Sequence, residues 1–444
     1  MLNISLLTDD QQNGIDRLYN HDHTLMVGKM GSGKTIVTLT ALVELLADKV
    51  VSRVLVVAPL KVCKTVWRQE AANWEHTQHL NIALCTGTEK DRLHALNLNA
   101  EITLINFENL SWLFRKAGGK GMKNVFDGLV IDELSKLKSV GGTQFKSLRP
   151  RLTDFVWRVG LTGTPVSEDW AGLFGQMMVI DGGVTLGTRK DNFMSKYFFP
   201  TDYMRYNWEL HDWAAAAMAK AIAPYVHTLP DYRSELPLCR YEVLSVTLPD
   251  NVREVYDTLQ RDMVAEGVDA ANAAVLSGKL QQVTSGFMYR EDEETLLLSD
   301  FRITAAVAAC KHGNTLLCYW YKEDYSRLLV ALGDAGLRVG TLATGDLEAT
   351  CASWNAGEYD VLLIHPRSAG HGLNLAQGGS RVLWFAPQWS RDLWEQTVAR
   401  LWRRGQKNSV TVTTIEAVDT IDNLVALRVS DKAAFDRLFS EYFN

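Results

Sequence analysis

Nowhere in the 444 residues is there a run of about 18 apolar residues, so no membrane-spanning helix is expected. The first residues lack a basic stretch followed by an apolar one, so no signal peptide is expected and the default location is the cytoplasm. The 6 cysteines (Cys63, Cys85, Cys239, Cys310, Cys318 and Cys351) are scattered, with no Cys-x-x-Cys pair and no Cys/His cluster, which excludes a disulfide framework and argues against structural zinc. A surplus of positive charge is missing too. The formal charge is −6, unlike that of proteins that coat nucleic acid along its length, although a local basic groove remains compatible with it. Internal repeats and low-complexity tracts are absent, which excludes solenoids.

What is present begins with Gly28-Lys-Met-Gly-Ser-Gly-Lys-Thr35, a complete Gly-x-x-x-x-Gly-Lys-Thr sequence between an apolar run, Thr24–Val27, and a helix-like stretch from Ile36 to Leu46. Glycines let backbone N–H groups curl around phosphate oxygens, Lys34 can reach the β- and γ-phosphates, and the Thr35 hydroxyl can ligate Mg2+. Gly28, Met30, Gly31, Ser32, Gly33, Lys34 and Thr35 are therefore the candidate nucleotide-binding residues. Further on, Phe126-Asp-Gly-Leu-Val-Ile-Asp132-Glu133 is an apolar strand ending in two carboxylates. Asp132 is placed to hold the magnesium shell, and Glu133 to polarise an attacking water.

Around these motifs, short apolar runs alternate with helical segments, the pattern of parallel sheets covered by helices. The expected strands of the first half are Leu25–Val27, Val54–Ala58, Ile82–Cys85, Ile102–Ile105, Leu129–Ile131 and Arg158–Leu161. Their continuous apolarity suits strands buried on both faces. After the proline-punctuated stretch Thr228–Pro237 and a helix-rich connection from Asn251 to about Met288, a second set follows: Leu316–Trp320, Arg338–Thr341, Val361–His365, Arg381–Phe385 and Val410–Ile415. The expected division is 1–235, a connection over 236–295, and 296–444.

Taken in order, the motifs resemble those of the Swi/Snf-like branch of superfamily two helicases, and most of all its short phage-encoded members. Asp10-Gln-Gln-Asn-Gly-Ile-Asp16 precedes the phosphate loop; Val56-Val-Ala-Pro59, Trp67, Asn106-Phe-Glu-Asn109, Asp132-Glu-Leu-Ser135 and Leu161-Thr-Gly-Thr-Pro165 follow it. The second half supplies Leu316–Tyr321, Ser368-Ala-Gly-His-Gly-Leu-Asn-Leu375 and Gln396-Thr-Val-Ala-Arg400-Leu-Trp-Arg403-Arg-Gly-Gln406.

The resemblance implies two RecA-like lobes of α/β type, ATP and Mg2+ as ligands, and duplex or branched DNA as partner of a monomeric motor, in a bacterial host's cytoplasm if the chain is phage-encoded. It makes Gln11 the reader of adenine, since an amide offers both a donor and an acceptor. Gln396, Arg400 and Arg403 become residues that act on the nucleotide from the opposite lobe. Arg400 and Arg403 stand at i and i+3, so on a helix they would share a face, and guanidinium groups suit a γ-phosphate. Candidate DNA contacts are Lys61, Asn106, Thr162, Gly370, Gly372, Asn374 and Trp389, with Thr162–Pro165 as coupling elements. His371 reads as a loop or groove residue, and most of the 13 tryptophans as core. Two departures stand out: Leu134-Ser135 where relatives carry Ala-His, and Glu168 where many carry asparagine. An RNA-directed helicase or an ATP-switched clamp that does not move would share the nucleotide site; the motif set favours a DNA motor.

Overall fold

The computed structural model describes residues 1–117, 125–163, 170–204, 206–265, 270–290, 294–367 and 373–426. The described residues form two compact units that divide between Tyr232 and Arg233.

In the first unit the strands are β1 (His23–Val27), β2 (Val54–Ala58), β3 (Ile82–Cys85), β4 (Ile102–Asn106), β5 (Gly128–Asp132), β6 (Trp157–Thr162), β7 (Phe198–Pro200), β8 (Trp208–Leu210) and β9 (Val226–Thr228). Seven of them make one sheet in the order β3-β4-β2-β5-β6-β1-β9, with every pairing parallel. Successive residues of a strand serve opposite faces. Val54, Val56 and Ala58 pack with Ile15, Leu42 and Trp67 on one side. Leu55 and Val57 pack with Leu173, Met177 and Phe193 on the other. This two-sided burial is what continuous apolar strands require.

The first face is covered by α1 (Asp9–Asn20), α2 (Lys34–Ala47) and α3 (Leu60–Asn73). Along the rest of the unit come α4 (Glu89–Asn97), α5 (Leu110–Trp112), α6 (Thr143–Leu148), α7 (Gly172–Asp181), α8 (Lys190–Tyr197) and α9 (Ala214–Ile222), which contribute to the second core. β7 and β8 pair only with each other, as an antiparallel hairpin between α8 and α9.

The second unit contains β10 (Cys239–Val246), β11 (Phe287–Tyr289), β12 (Thr295–Leu297), β13 (Thr315–Cys318), β14 (Val339–Thr341), β15 (Val361–Ile364), β16 (Arg381–Trp384) and β17 (Val410–Ala417). Its main sheet is again parallel throughout, ordered β10-β17-β16-β13-β15-β14. The helices are α10 (Asp250–Ala265), α11 (Ala270–Thr284), α12 (Phe301–Cys310), α13 (Lys322–Asp334), α14 (Leu347–Asn355) and α15 (Arg391–Val398). Ile303, Leu328 and Leu332 of α12 and α13 cover one sheet face; Trp354 and Val398 of α14 and α15 cover the other.

All the strands expected from the sequence form, so the α/β class with two parallel sheets stands. Four further strand features lie outside the expected set. β10 is largely exposed, with only Cys239, Leu244 and Val246 half-buried, so it lacks the continuous apolar run of the central strands and falls within the expected connection over 236–295; β9, the β7–β8 hairpin and the antiparallel β11–β12 hairpin are built of strands only 3 residues long. Among the described residues no helix is long and apolar enough to cross a membrane.

Candidate nucleotide site

In a parallel α/β sheet, ligands gather outside the carboxyl ends of the strands. In the first unit this rim holds every described candidate residue: Gly28 follows β1, Lys61 opens α3 just past β2, Asn106 ends β4, Asp132 ends β5 and Thr162 ends β6. Because β5, β6 and β1 are neighbours, the loop and the carboxylates are brought side by side. The Gly28 N–H donates to the Thr162 carbonyl at 3.0 Å and the Glu133 N–H to the Leu161 carbonyl at 3.1 Å, tying both motifs to β6.

The loop itself turns on Gly31 and Gly33, which take φ of +81° and +89°. A Cβ at either position would run into a neighbour, the Tyr232 hydroxyl at Gly31 and the Gln11 amide at Gly33. α2 starts at Lys34 without a side-chain cap, so its first-turn N–H groups face outward with no capping oxygen. The Ser32 hydroxyl is buried and has no hydrogen-bond partner among the described residues. Lys34 Nζ curls back to donate to the carbonyls of Gly28 and, at 3.1 Å, Lys29. An uncapped helix start, an orphaned hydroxyl and an ammonium resting on neutral carbonyls together fit an anionic phosphate chain.

Gln11 sits against this loop. Its carbonyl oxygen accepts from the Thr8 N–H at 3.0 Å in a capping box, and its amide donates to the Ser32 carbonyl at 3.2 Å. Gln11 is therefore bonded to the phosphate loop here. Tyr232, the last described residue of the unit, adds a second brace, its hydroxyl donating to the Met30 carbonyl at 2.5 Å. Nothing in the sequence around Tyr232 signals this contact, because it spans the whole unit.

Asp132 accepts a 2.9 Å hydrogen bond from the indole N–H of Trp67, which is fully buried on α3. Burial pushes the Asp132 carboxyl up to about 6, opposed by that indole bond and by Lys34. Burial likewise lowers the Lys34 ammonium, with Asp132 and Glu133 acting in the other direction. Such a carboxylate, short of positive charge, fits a divalent cation, with Thr35 on the first turn of α2 as the second protein ligand. Glu133 has a left-handed backbone, φ +71°, unusual for a residue with a side chain, and Ser135 Oγ donates to its carboxylate at 2.8 Å. Ser135 thus steadies the carboxylate beside it. Leu134 is core, packed against Gly160.

Other candidates in this unit have structural partners. Asn106 bonds Glu108 at 2.6 Å and accepts from Asn109 at 2.5 Å. Thr162 is buried. Thr164, Pro165 and Glu168 lie outside the described residues.

In the second unit, α15 carries Gln396, half-buried, but ends at Val398. Arg400 and Arg403 are therefore not on a helix, which corrects the shared-face expectation: the backbone leaves the helix in a series of turns, with Arg400 N–H to Thr397 O and Leu401 N–H to Val398 O. Arg400 is 2% exposed, its Nε has no hydrogen-bond partner among the described residues, and burial followed by Arg403 pushes it down to about 9. Arg403 Nη1 donates to the Leu373 carbonyl at 3.1 Å, while the Leu375 N–H donates to the Arg400 carbonyl at 3.1 Å. These bonds strap the arginine segment to the chain around Asn374, which is exposed and accepts from Ala376 N–H. Trp389 is half-buried with its indole N–H on Gln281 of α11 at 3.0 Å, so that end of the ring has a structural partner. Gly370, His371 and Gly372 lie outside the described residues.

Comparison with known proteins identifies relatives over most of the chain. The family model of the SNF2-related domain matches residues 11–298. The p41 protein of Acyrthosiphon pisum secondary endosymbiont phage 1 is 30% identical over 443 residues, covering 93% of each chain. The DNA repair protein rhp54 of Schizosaccharomyces pombe is 23% identical over 94% of this chain and 55% of its own length. The human DNA repair and recombination protein RAD54-like is 23% identical over 92% of this chain and 62% of its own, so the chain spans little more than half of these larger relatives. Among solved structures, the Sulfolobus solfataricus SWI2/SNF2 ATPase core in complex with dsDNA aligns over 98% of this chain and 93% of that one, at 18% identity and a TM-score of 0.46. The protein is a member of the SNF2-related family.

Proposed function

We propose that this chain is an ATP-dependent DNA translocase, an enzyme that hydrolyses ATP to move along or remodel duplex or branched DNA. DNA as the track comes from the family, whose named relatives serve DNA repair and recombination. The observation that carries the ATPase reading is the set of unsatisfied groups at one rim of the first sheet: the uncapped start of α2, the orphaned Ser32 hydroxyl, and Lys34 folded onto loop carbonyls.

In this reading the loop amides and Lys34 bind the β- and γ-phosphates, and Gln11 reads the base while touching Ser32. Thr35 and Asp132 would hold Mg2+, which supplies charge neutralisation on the phosphate oxygens. Glu133 takes the proton of the attacking water, steadied by Ser135. Arg400 and Arg403 supply guanidinium charge to the transferred phosphoryl group during turnover, a contribution of about 10³ to 10⁵ in rate in related NTPases. Arg400 suits it, being a buried cation with an unmet donor. Lys61, Asn106, Thr162, Gly370, Gly372 and Asn374 are the proposed backbone contacts to DNA, Trp389 a weaker one, and the protein works as a monomer in the cytoplasm.

ATP turnover measured with duplex DNA, single-stranded DNA and RNA tests the substrate, and displacement of a third strand from a triplex tests movement. Stimulation by duplex DNA and continuous third-strand displacement are expected. Lys34→Ala and Glu133→Gln should each abolish turnover in a folded protein. Normal turnover in both variants would remove the site, and stimulation without displacement would leave only a clamp.

A further inference from the structure

The β7–β8 hairpin carries a tip of exposed side chains. Tyr203 is 98% exposed, Tyr206 79% and Met204 64%. Tyr203, Met204 and Tyr206 thus present two aromatic rings and a flexible side chain to solvent; Arg205, between them in the sequence, lies outside the described residues. The tip is bonded in place. Thr201 N–H donates to the Asn207 carbonyl at 3.0 Å, and the Asp202 carboxylate accepts from Tyr206 N–H at 3.1 Å and Asn207 N–H at 2.5 Å. At its base, Tyr197 and Phe198 are buried against Phe193, and Tyr197 meets Trp213 ring to ring at 5.8 Å. A well-anchored, internally bonded support therefore holds two tyrosines in water.

Topology fixes where this support points. The end of α7 lies at the foot of the sheet, since Asp181 and Thr188 line one cavity with His23 and Arg158 from the amino ends of β1 and β6. α8 climbs from there, because Phe193 packs on Phe174 near the start of α7 at 5.1 Å. α9 descends again to feed β9, which runs parallel to β1. The hairpin between the top of α8 and the top of α9 consequently stands at the carboxyl rim of the sheet, the same rim that carries the phosphate loop, Lys61 and Asn106.

We propose that the β7–β8 tip is a base-stacking element that recognises unpaired nucleobases at a DNA junction, and so directs the motor to branched substrates. This rests on the reading of the chain as a DNA motor. Tyrosine rings offer a π-face that any base can stack on, typically strengthening binding by roughly tenfold per base. Paired bases inside a duplex offer no free face, so such a tip gains nothing from plain duplex and gains at forks, where bases are exposed. A tip that docked a protein instead would leave DNA affinity untouched.

The test is equilibrium binding without nucleotide, by fluorescence anisotropy, to a forked DNA with unpaired arms and a blunt duplex of equal length. The wild type should bind the fork about tenfold more tightly. The Tyr203→Ala/Tyr206→Ala double variant should bind both equally, with duplex affinity and duplex-stimulated turnover unchanged, while Tyr203→Phe/Tyr206→Phe should keep the preference because the ring is what stacks. The proposal is overturned if the wild type shows no preference, if the alanine variant retains it, as a protein-docking tip would, or if the phenylalanine variant loses it. Absence of DNA-stimulated turnover in the wild type would instead overturn the motor reading on which it rests.

Discussion

At the scale of single residues, the chemistry depends on neighbours that hold charged groups still. Trp67 is the clearest case, since its indole N–H is the neutral donor to a carboxyl that burial has already raised to about 6. Trp67→Phe removes that bond together with part of the buried indole, so a thermal melt of the variant is read alongside to separate lost packing from the lost donor. A hydrogen bond to a charged group contributes about 1.5–3 kcal/mol, so the Mg2+ concentration needed for half-maximal turnover should rise by about tenfold or more. A magnesium titration of ATP turnover checks it, and an unchanged midpoint would mean that Trp67 only packs. Ser135→Ala should behave differently, lowering kcat with little change in KM, because Ser135 donates to Glu133, the proposed proton acceptor, and not to the proposed phosphate-binding groups. The sequence marked Asp132 and Glu133, yet these braces were not legible in it: Trp67 lies on a different element, and Ser135 reads as a departure from a motif until its hydroxyl is seen on Glu133.

Among the elements, α13 carries an exposed consequence of burial. Asp324, the third residue of α13, is fully buried and accepts from Tyr321 N–H at 2.9 Å, but its Oδ1 has no hydrogen-bond partner among the described residues, and burial raises its carboxyl to about 7. In the unfolded chain an aspartate ionises near pH 4. Between about pH 4 and 7 the folded state therefore binds the extra proton, and stability falls as pH rises through that window. Asp324→Asn removes the titration. Thermal melts should show the variant gaining on the wild type as pH is raised from 5 to 8; a gap independent of pH would place the carboxyl's titration outside this range. The elements also show where periodicity misleads. A helical i, i+3 spacing for Arg400 and Arg403 fails because α15 stops at Val398, where backbone N–H groups turn to nearer carbonyls.

For the whole molecule, a net charge of −6 sets the terms of the proposed DNA binding. Overall repulsion must be overcome by a few local cations, so the DNA-dependent part of turnover should be salt-sensitive while turnover without DNA is not. Raising salt from about 50 to 200 mM should cut duplex-stimulated turnover by orders of magnitude at limiting DNA if several phosphates are contacted. Equal salt sensitivity with and without DNA would show that the nucleotide site, and not the DNA contact, responds. The two parallel sheets, each buried on both faces, give each unit its own core, with ample apolar area to fold around.

The sequence by itself determined the fold class and the identity of the phosphate loop and its carboxylates. Continuous apolar strands and glycine-rich turns impose those locally, through burial and backbone sterics that act within a few residues. Only the tertiary structure decided that Gln11 and Tyr232 grip the phosphate loop, that Trp67 donates to Asp132, that β10 completes the second sheet beside β17, and that two tyrosines stand clear on a bonded hairpin. Those are contacts between residues far apart along the chain, and they follow from how the sheets and helices pack, which no local pattern records.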